Sequence, residues 1–138
     1  MGDGIETTLE AIMPRTRKDE APLLVDTQVI KGRYAELDDY TVSFETFPED
    51  ADGTPVFRGL PDDRCPCPHW GMVISGRLVL RYRDHDESYQ AGDVYYAPPG
   101  HVPVVAGGTE TVEFSPTAEL RRTMAVVAAN MSQVGGAS

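Results

Sequence analysis

Between Tyr40 and Phe114 turn residues cut the chain into short segments at close intervals, and that spacing leaves few folds open. Tyr40, Val42, Phe44 and Thr46 alternate with polar neighbours. Leu78, Leu80 and Tyr82 oppose Arg77, Val79 and Arg81 in the same way. A period of two belongs to a half-buried strand. Further strands are expected at Leu23 to Val25, His69 to Ile74, Ser88 to Gln90, Val94 to Ala97, Val102 to Val105 and Thr111 to Phe114, with Val56-Phe57 also extended. Glu49 to Gly53, Ser75-Gly76, Gly92-Asp93 and Gly107-Gly108 read as turns, and Asp84 to Glu87, with His85, as a solvated loop. Many short strands at this spacing predict an all-β sandwich or barrel.

The end of the chain changes period. Ser115-Pro116 reads as a helix start, with serine as cap and proline in the first turn. Leu120, Met124, Val127 and Met131 then form one apolar stripe, and Gly135-Gly136 reads as the stop. A helix over about 116–131 is expected to pack on the outside of the barrel or on a partner subunit. Residues 1–20 read as an arm, with Ile5, Leu9 and Ile12 at helical spacing, and 21–138 as a single domain.

The chain of 138 residues carries a net charge of -10. That field repels phosphate backbones and anionic lipid, so neither nucleic acid nor a membrane is an expected partner. No apolar run approaches a membrane span and no signal peptide is recognised, so a cytoplasmic protein is expected.

The chemistry-bearing segment is Arg64-Cys65-Pro66-Cys67-Pro68-His69-Trp70-Gly71. In an extended chain Cys65, Cys67 and His69 share one face. The intervening prolines cannot donate to a ladder, which places the segment at a rim or edge. Two cysteines this close rarely form a disulfide. With His101, after Pro98-Pro99-Gly100, they suit one divalent metal ion, with zinc ahead of iron or manganese. Cys65 is open between ligand and nearby thiol. His101 is open between ligand and catalytic base. Glu113 is open between a buried acid and an outward strand residue. Tyr96 and Arg77 are candidates for the substrate pocket.

The order of these pieces resembles the cupin superfamily. Its second motif fits at Gly92, Pro98, Pro99 and Gly100, and the end of its first motif at Gly76. The ligand positions depart from the pattern. His69 stands where the glutamate usually is and Cys65 at the second histidine; Asp63 takes the first. In the second motif Pro103 takes the histidine position, with His101 two residues earlier, and Gly107 takes the asparagine position. The resemblance implies a small double-stranded β-helix, or jelly-roll barrel, with a C-terminal helix, and a homodimer. It leaves function broad. A zinc-dependent enzyme of non-redox proton transfer, isomerisation or hydrolysis on a small molecule leads. The alternatives are a non-catalytic binding, sensor or accessory cupin with a structural metal, and a metal-dependent dioxygenase.

Overall fold

The computed structural model describes residues 14–137, with side chains to residue 133. The helical spacing of Ile5, Leu9 and Ile12 lies outside the described residues. Ten strands follow in order: β1 (Leu23–Asp26), β2 (Lys31–Leu37), β3 (Tyr40–Phe47), β4 (Ala51–Asp52), β5 (His69–Ser75), β6 (Arg77–Arg81), β7 (Asp86–Gln90), β8 (Val94–Ala97), β9 (Val102–Val105) and β10 (Thr109–Pro116). Single turns of 3-10 helix at Thr54–Phe57 and Pro61–Asp63 separate β4 from β5, and helix α1 (Thr117–Ala137) follows β10. The strands form two antiparallel sheets in the orders β1-β2-β3-β10-β5-β8 and β4-β9-β6-β7, a jelly-roll arrangement.

Three local expectations change. Val56-Phe57 is not extended, because Pro55 opens a 3-10 turn there. Ser115 is not a helix cap. It pairs with Thr41, and Pro116 with Tyr40, so the long β3–β10 ladder carries the strand past both residues. The helix then continues through Gly135-Gly136 to Ala137.

The helix packs over the barrel opening with one face exposed. Its Asn130 Nδ2 donates to the carbonyls of Val56 and Arg58, both at 2.8 Å, which pins α1 to the first 3-10 turn. Leu120, Met124, Val127 and Met131 join Phe57, Leu60, Cys65 and Val102 in one apolar cluster. The stripe thus forms one wall of the interior.

A second core lies between the sheets, where Leu78, Leu80 and Val105 meet Phe47, Val73, Tyr95 and Ala97. The six-stranded sheet is unusual in what it turns inward. Register places Tyr34 beside Ser43, Ser43 beside Glu113, Glu113 beside Gly71 and Gly71 beside Tyr95. One row of five residues therefore crosses five strands on the inner face. Directly paired residues share a face, so Tyr40, Val42, Phe44, Phe114, Trp70 and Tyr96 lie on the opposite face, where Val42 is nonetheless buried. Tyr40, Trp70, Tyr96 and Phe114 are each more than two-fifths exposed.

The inner row depends on its glycine. Tyr95 Oη donates to Glu113 Oε2 at 2.5 Å, reaching across Gly71. A Cβ on Gly71 would stand 2.7 Å from Tyr95 Oη and 2.8 Å from Glu113 Cγ. Gly71→Ala is therefore expected to part the pair and lower stability by about 2 kcal/mol or more, since a buried carboxylate loses a donor. Urea unfolding of the two proteins checks this, and an unchanged midpoint would count against the contact.

Candidate metal centre and interior cavity

Cys65 and His101 are brought together by backbone. Cys65 N–H donates to His101 O at 2.9 Å and Gly100 N–H to Cys65 O at 2.7 Å, an isolated antiparallel bridge. His69 opens β5 next to this bridge. Cys65, His69 and His101 are all buried, and one ligand atom from each lies within 4.8 Å of the other two. Cys65 Sγ is 3.6 Å from His69 Nε2.

Each imidazole is oriented from behind. His101 Nδ1 lies 2.8 Å from the carbonyl of Pro98. A carbonyl only accepts, so Nδ1 carries the proton and Nε2 keeps its lone pair. His69 Nδ1 lies 2.6 Å from Ser115 Oγ, which leaves Nε2 facing Cys65. Histidine ligands of metals are commonly held through their other nitrogen in this way.

The electrostatics suit a cation. Burial, with the neighbouring His69 second, pushes His101 down to about 4, so it is neutral near pH 7 as a ligand must be. Burial pushes the Cys65 thiol up to about 12. A thiolate at this position therefore calls for a positive charge beside it. One cysteine sulfur and two imidazole nitrogens can hold a divalent metal ion, and three protein donors leave room for an exchangeable position.

The cluster opens on an interior cavity of about 530 Å³. Its polar lining includes the carboxylates of Glu45 and Glu113. Glu113 Oε1 stands 3.9 Å from His69 Nδ1. Tyr34 Oη donates to Glu45 Oε2 at 2.7 Å, and this tyrosine lies over Gly32, where a Cβ would come within 2.3 Å of Tyr34 Oη. The two tyrosine–glutamate pairs are thus built alike, each across a glycine. Burial first, and the charge of Glu113 second, raise Glu45 to about 7.

The sequence candidates divide on this geometry. Cys65, His69 and His101 converge, and Glu113 faces the same cavity. Cys67 does not join them. The chain bends at Cys67 instead of staying extended, so its side chain packs with Leu60, Val102 and Val127, with Sγ 3.5 Å from the carbonyl of Pro68. Tyr96 does not line the cavity. It stacks on Trp70 with ring centroids 5.1 Å apart on the outer face, because its neighbour Tyr95 takes the inward position. Arg77 points outward too, with Nε 3.0 Å from Ser88 Oγ, beside a shallow groove with Val79 and Val104. His85 sits exposed between Asp84 and Glu87 on the β6–β7 hairpin. Sequence reasoning missed Tyr34 and Glu45. The signal for Glu45 was the polar half of the alternation in β3, Thr41, Ser43 and Glu45.

No family model and no curated protein sequence matches this chain. Solved structures do. An RmlC-like cupin from Shewanella frigidimarina matches with a TM-score of 0.53 and 17% identity, over 73% of this chain and 88% of that one. The fold is that of a cupin. KdgF from Halomonas sp. matches this cupin-fold chain with a TM-score of 0.52 and 20% identity, over 72% of it and 90% of KdgF. The polyketide cyclase RemF from Streptomyces resistomycificus matches with a TM-score of 0.54 and 14% identity, over 76% and 80%. One longer neighbour is spanned over only 45% of its length. Among the described residues no helix is long and apolar enough to cross a membrane.

Glu45 gives this cupin fold a signature in its pH dependence. Its carboxyl is raised from 4.5 when free to about 7 when folded, so the folded state holds the proton more tightly. That contribution is fully present below the unfolded value and is lost as pH rises through the folded one. Stability from this group is therefore expected to fall by on the order of 3 kcal/mol between about pH 4.5 and 7. Glu45→Gln should remove that part of the slope, as read by urea unfolding across the interval; parallel profiles for both proteins would refute the assignment.

Proposed function

We propose that this protein is a zinc-dependent enzyme that carries out non-redox proton transfer on a small molecule in the barrel interior. The buried Cys65–His69–His101 cluster at the edge of the cavity carries the reading. Zinc bound there would act as a Lewis acid on a substrate oxygen. Thiolate with imidazole favours zinc over the iron of oxygenases, whose usual carboxylate ligand is not among the three converging groups.

The remaining work falls to the chain's own groups. His101 Nδ1 is committed to Pro98 O, and its other nitrogen faces the cluster, so it serves as ligand and not as base. Glu113 takes the proton-moving role. Tyr95 fixes one of its oxygens and the other stays within reach of the cavity. Glu45, which holds its proton to about pH 7, can act as an acid on the same contents. Ser115 is a positioning residue, acting through His69. A polyketide cyclase shares the fold, which accords with such chemistry without carrying the proposal.

Elemental analysis of protein purified without added metal or nickel affinity tests this first. Close to one zinc per chain is expected. His69→Ala should lose the metal, while Cys67→Ala should keep it, because Cys67 faces the helix. Circular dichroism reports whether each variant remains folded. Unchanged zinc in folded His69→Ala would sink the assignment.

A further inference from the structure

The six-stranded sheet has a second face besides the one that lines the cavity, and that face is apolar. Val112, Met72 and Val94 stand in register on one row across β10, β5 and β8, and Phe114, Trp70 and Tyr96 on the next. Continued through β3 into β2, the first row adds Phe44 and Arg33 and the second Val42 and Ala35. Among these described residues there is no carboxylate, and Arg33 is engaged with the carbonyl of Ala21 at 3.0 Å.

Single apolar side chains on a surface are ordinary, but a contiguous set of them is not. Trp70 stacks on Tyr96 with centroids 5.1 Å apart and meets Tyr40 edge-on at 6.1 Å. Ile74 follows Met72 on the same side of β5 by alternation. Leu23, Tyr40, Trp70, Ile74, Tyr96 and Phe114 are each at least two-fifths exposed, and Val94 is 76% exposed. Side chains of this size and exposure leave on the order of 600 Å² of apolar surface open to water. With the half-buried Met72 and Val112 between them, the face approaches the ~800 Å² that one partner gives to a standard stable interface.

Charge selects the occupant. The chain carries -10, so a second copy is repelled wherever carboxylates face it. The two rows present none. An anionic lipid surface meets the same repulsion, and a basic partner is drawn to the acidic parts of the molecule instead of this uncharged one. We propose that this face binds the same face of a second copy in a two-fold dimer, with Trp70 and Phe114 near the centre of the contact. Sheets stack face to face in this way about 10 Å apart. The contact is isologous, with aromatic anchors in its core. The inference goes beyond the enzymatic reading and does not rest on it. It bears on the site all the same: Trp70 follows His69 on β5 and Phe114 follows Glu113 on β10, so the partner braces from behind the strands that carry the cavity's histidine and acid.

Trp70 is the protein's only tryptophan, so the face carries its own probe. The test follows sedimentation velocity and tryptophan emission of the full chain over a dilution series from high micromolar to nanomolar concentration. At the top of the series a species of twice the single-chain mass is expected. As it dissociates, Trp70 emission should move to the red and its quenching by acrylamide should rise in step with the loss of mass. Trp70→Glu should weaken association about thirtyfold or more, the worth of one central anchor. Val94→Asp should weaken it as well. Because Val94 is so exposed, that variant keeps its fold, and circular dichroism checks both. A single chain at every concentration, or a dimer that the folded variants leave unchanged, would overturn the proposal. So would Trp70 emission that stays blue and protected in the single chain, since another part of the same chain would then cover the face.

Discussion

The structure depends on holding two carboxylates inside a barrel without a lysine or arginine beside them. An unpaired buried charge is expensive, and a protein meets that cost by neutralising the group or by supplying donors. This chain does both. Glu45 keeps its proton to about pH 7, and Tyr34 and Tyr95 donate to Glu45 and Glu113. Burial pushes both tyrosines far above their ordinary range, so they remain donors. Both hydroxyls reach their partners only because Gly32 and Gly71 leave the space beneath them empty. The glycine of the His69-Trp70-Gly71 segment therefore belongs to the interior as much as the histidine does.

The metal cluster is the complement of that arrangement. A cavity edged with carboxylates attracts a cation, and the cluster provides two imidazoles whose Nδ1 atoms are held by the Ser115 hydroxyl and the Pro98 carbonyl. Ser115 connects the two systems. It sits on β10 two residues beyond Glu113, on the same inner face, so one strand positions both the acid and the group that orients His69. The continuation of β10 through Pro116 is what makes this possible; had Ser115 capped a helix, its hydroxyl would have been used there.

Most strands were legible because turn residues punctuate the chain, but β2 (Lys31–Leu37) was not expected and β4 falls where a turn was read. Cys65 and His69 were legible as alternate positions on one face, and His101 as the residue after Pro-Pro-Gly. What alternation could not give was which face is inside. The usual assumption puts the apolar half inward, and β3 and β10 of the six-stranded sheet depart from it over much of their length. Tyr40, Phe44, Trp70, Tyr96 and Phe114 stand outside while Ser43, Glu45, Thr111 and Glu113 stand inside. Glu45 was missed for that reason, Tyr34 because its strand β2 was not expected, and Tyr96 was given to the pocket although its neighbour Tyr95 takes the inward position. Cys67 diverged because its grouping assumed an extended chain through residues 65 to 69, and the backbone bends at Cys67.

This departure bears on how the barrel could have acquired chemistry. A polar inner face is costly in a closed core but useful around a cavity, because each inward serine, threonine or glutamate is a contact available to a ligand. The four-stranded sheet keeps the ordinary pattern, with Leu78, Leu80 and Val105 inward, and supplies the apolar surface on which such a ligand rests. Polar groups on β3 and β10, set amid apolar surface from both sheets, meet the two demands together, apolar contact for affinity and convergent polar groups for reaction. α1 adds to the apolar wall with a stripe of leucine, valine and methionine, beside the buried hydroxyls of Thr117 and Thr123.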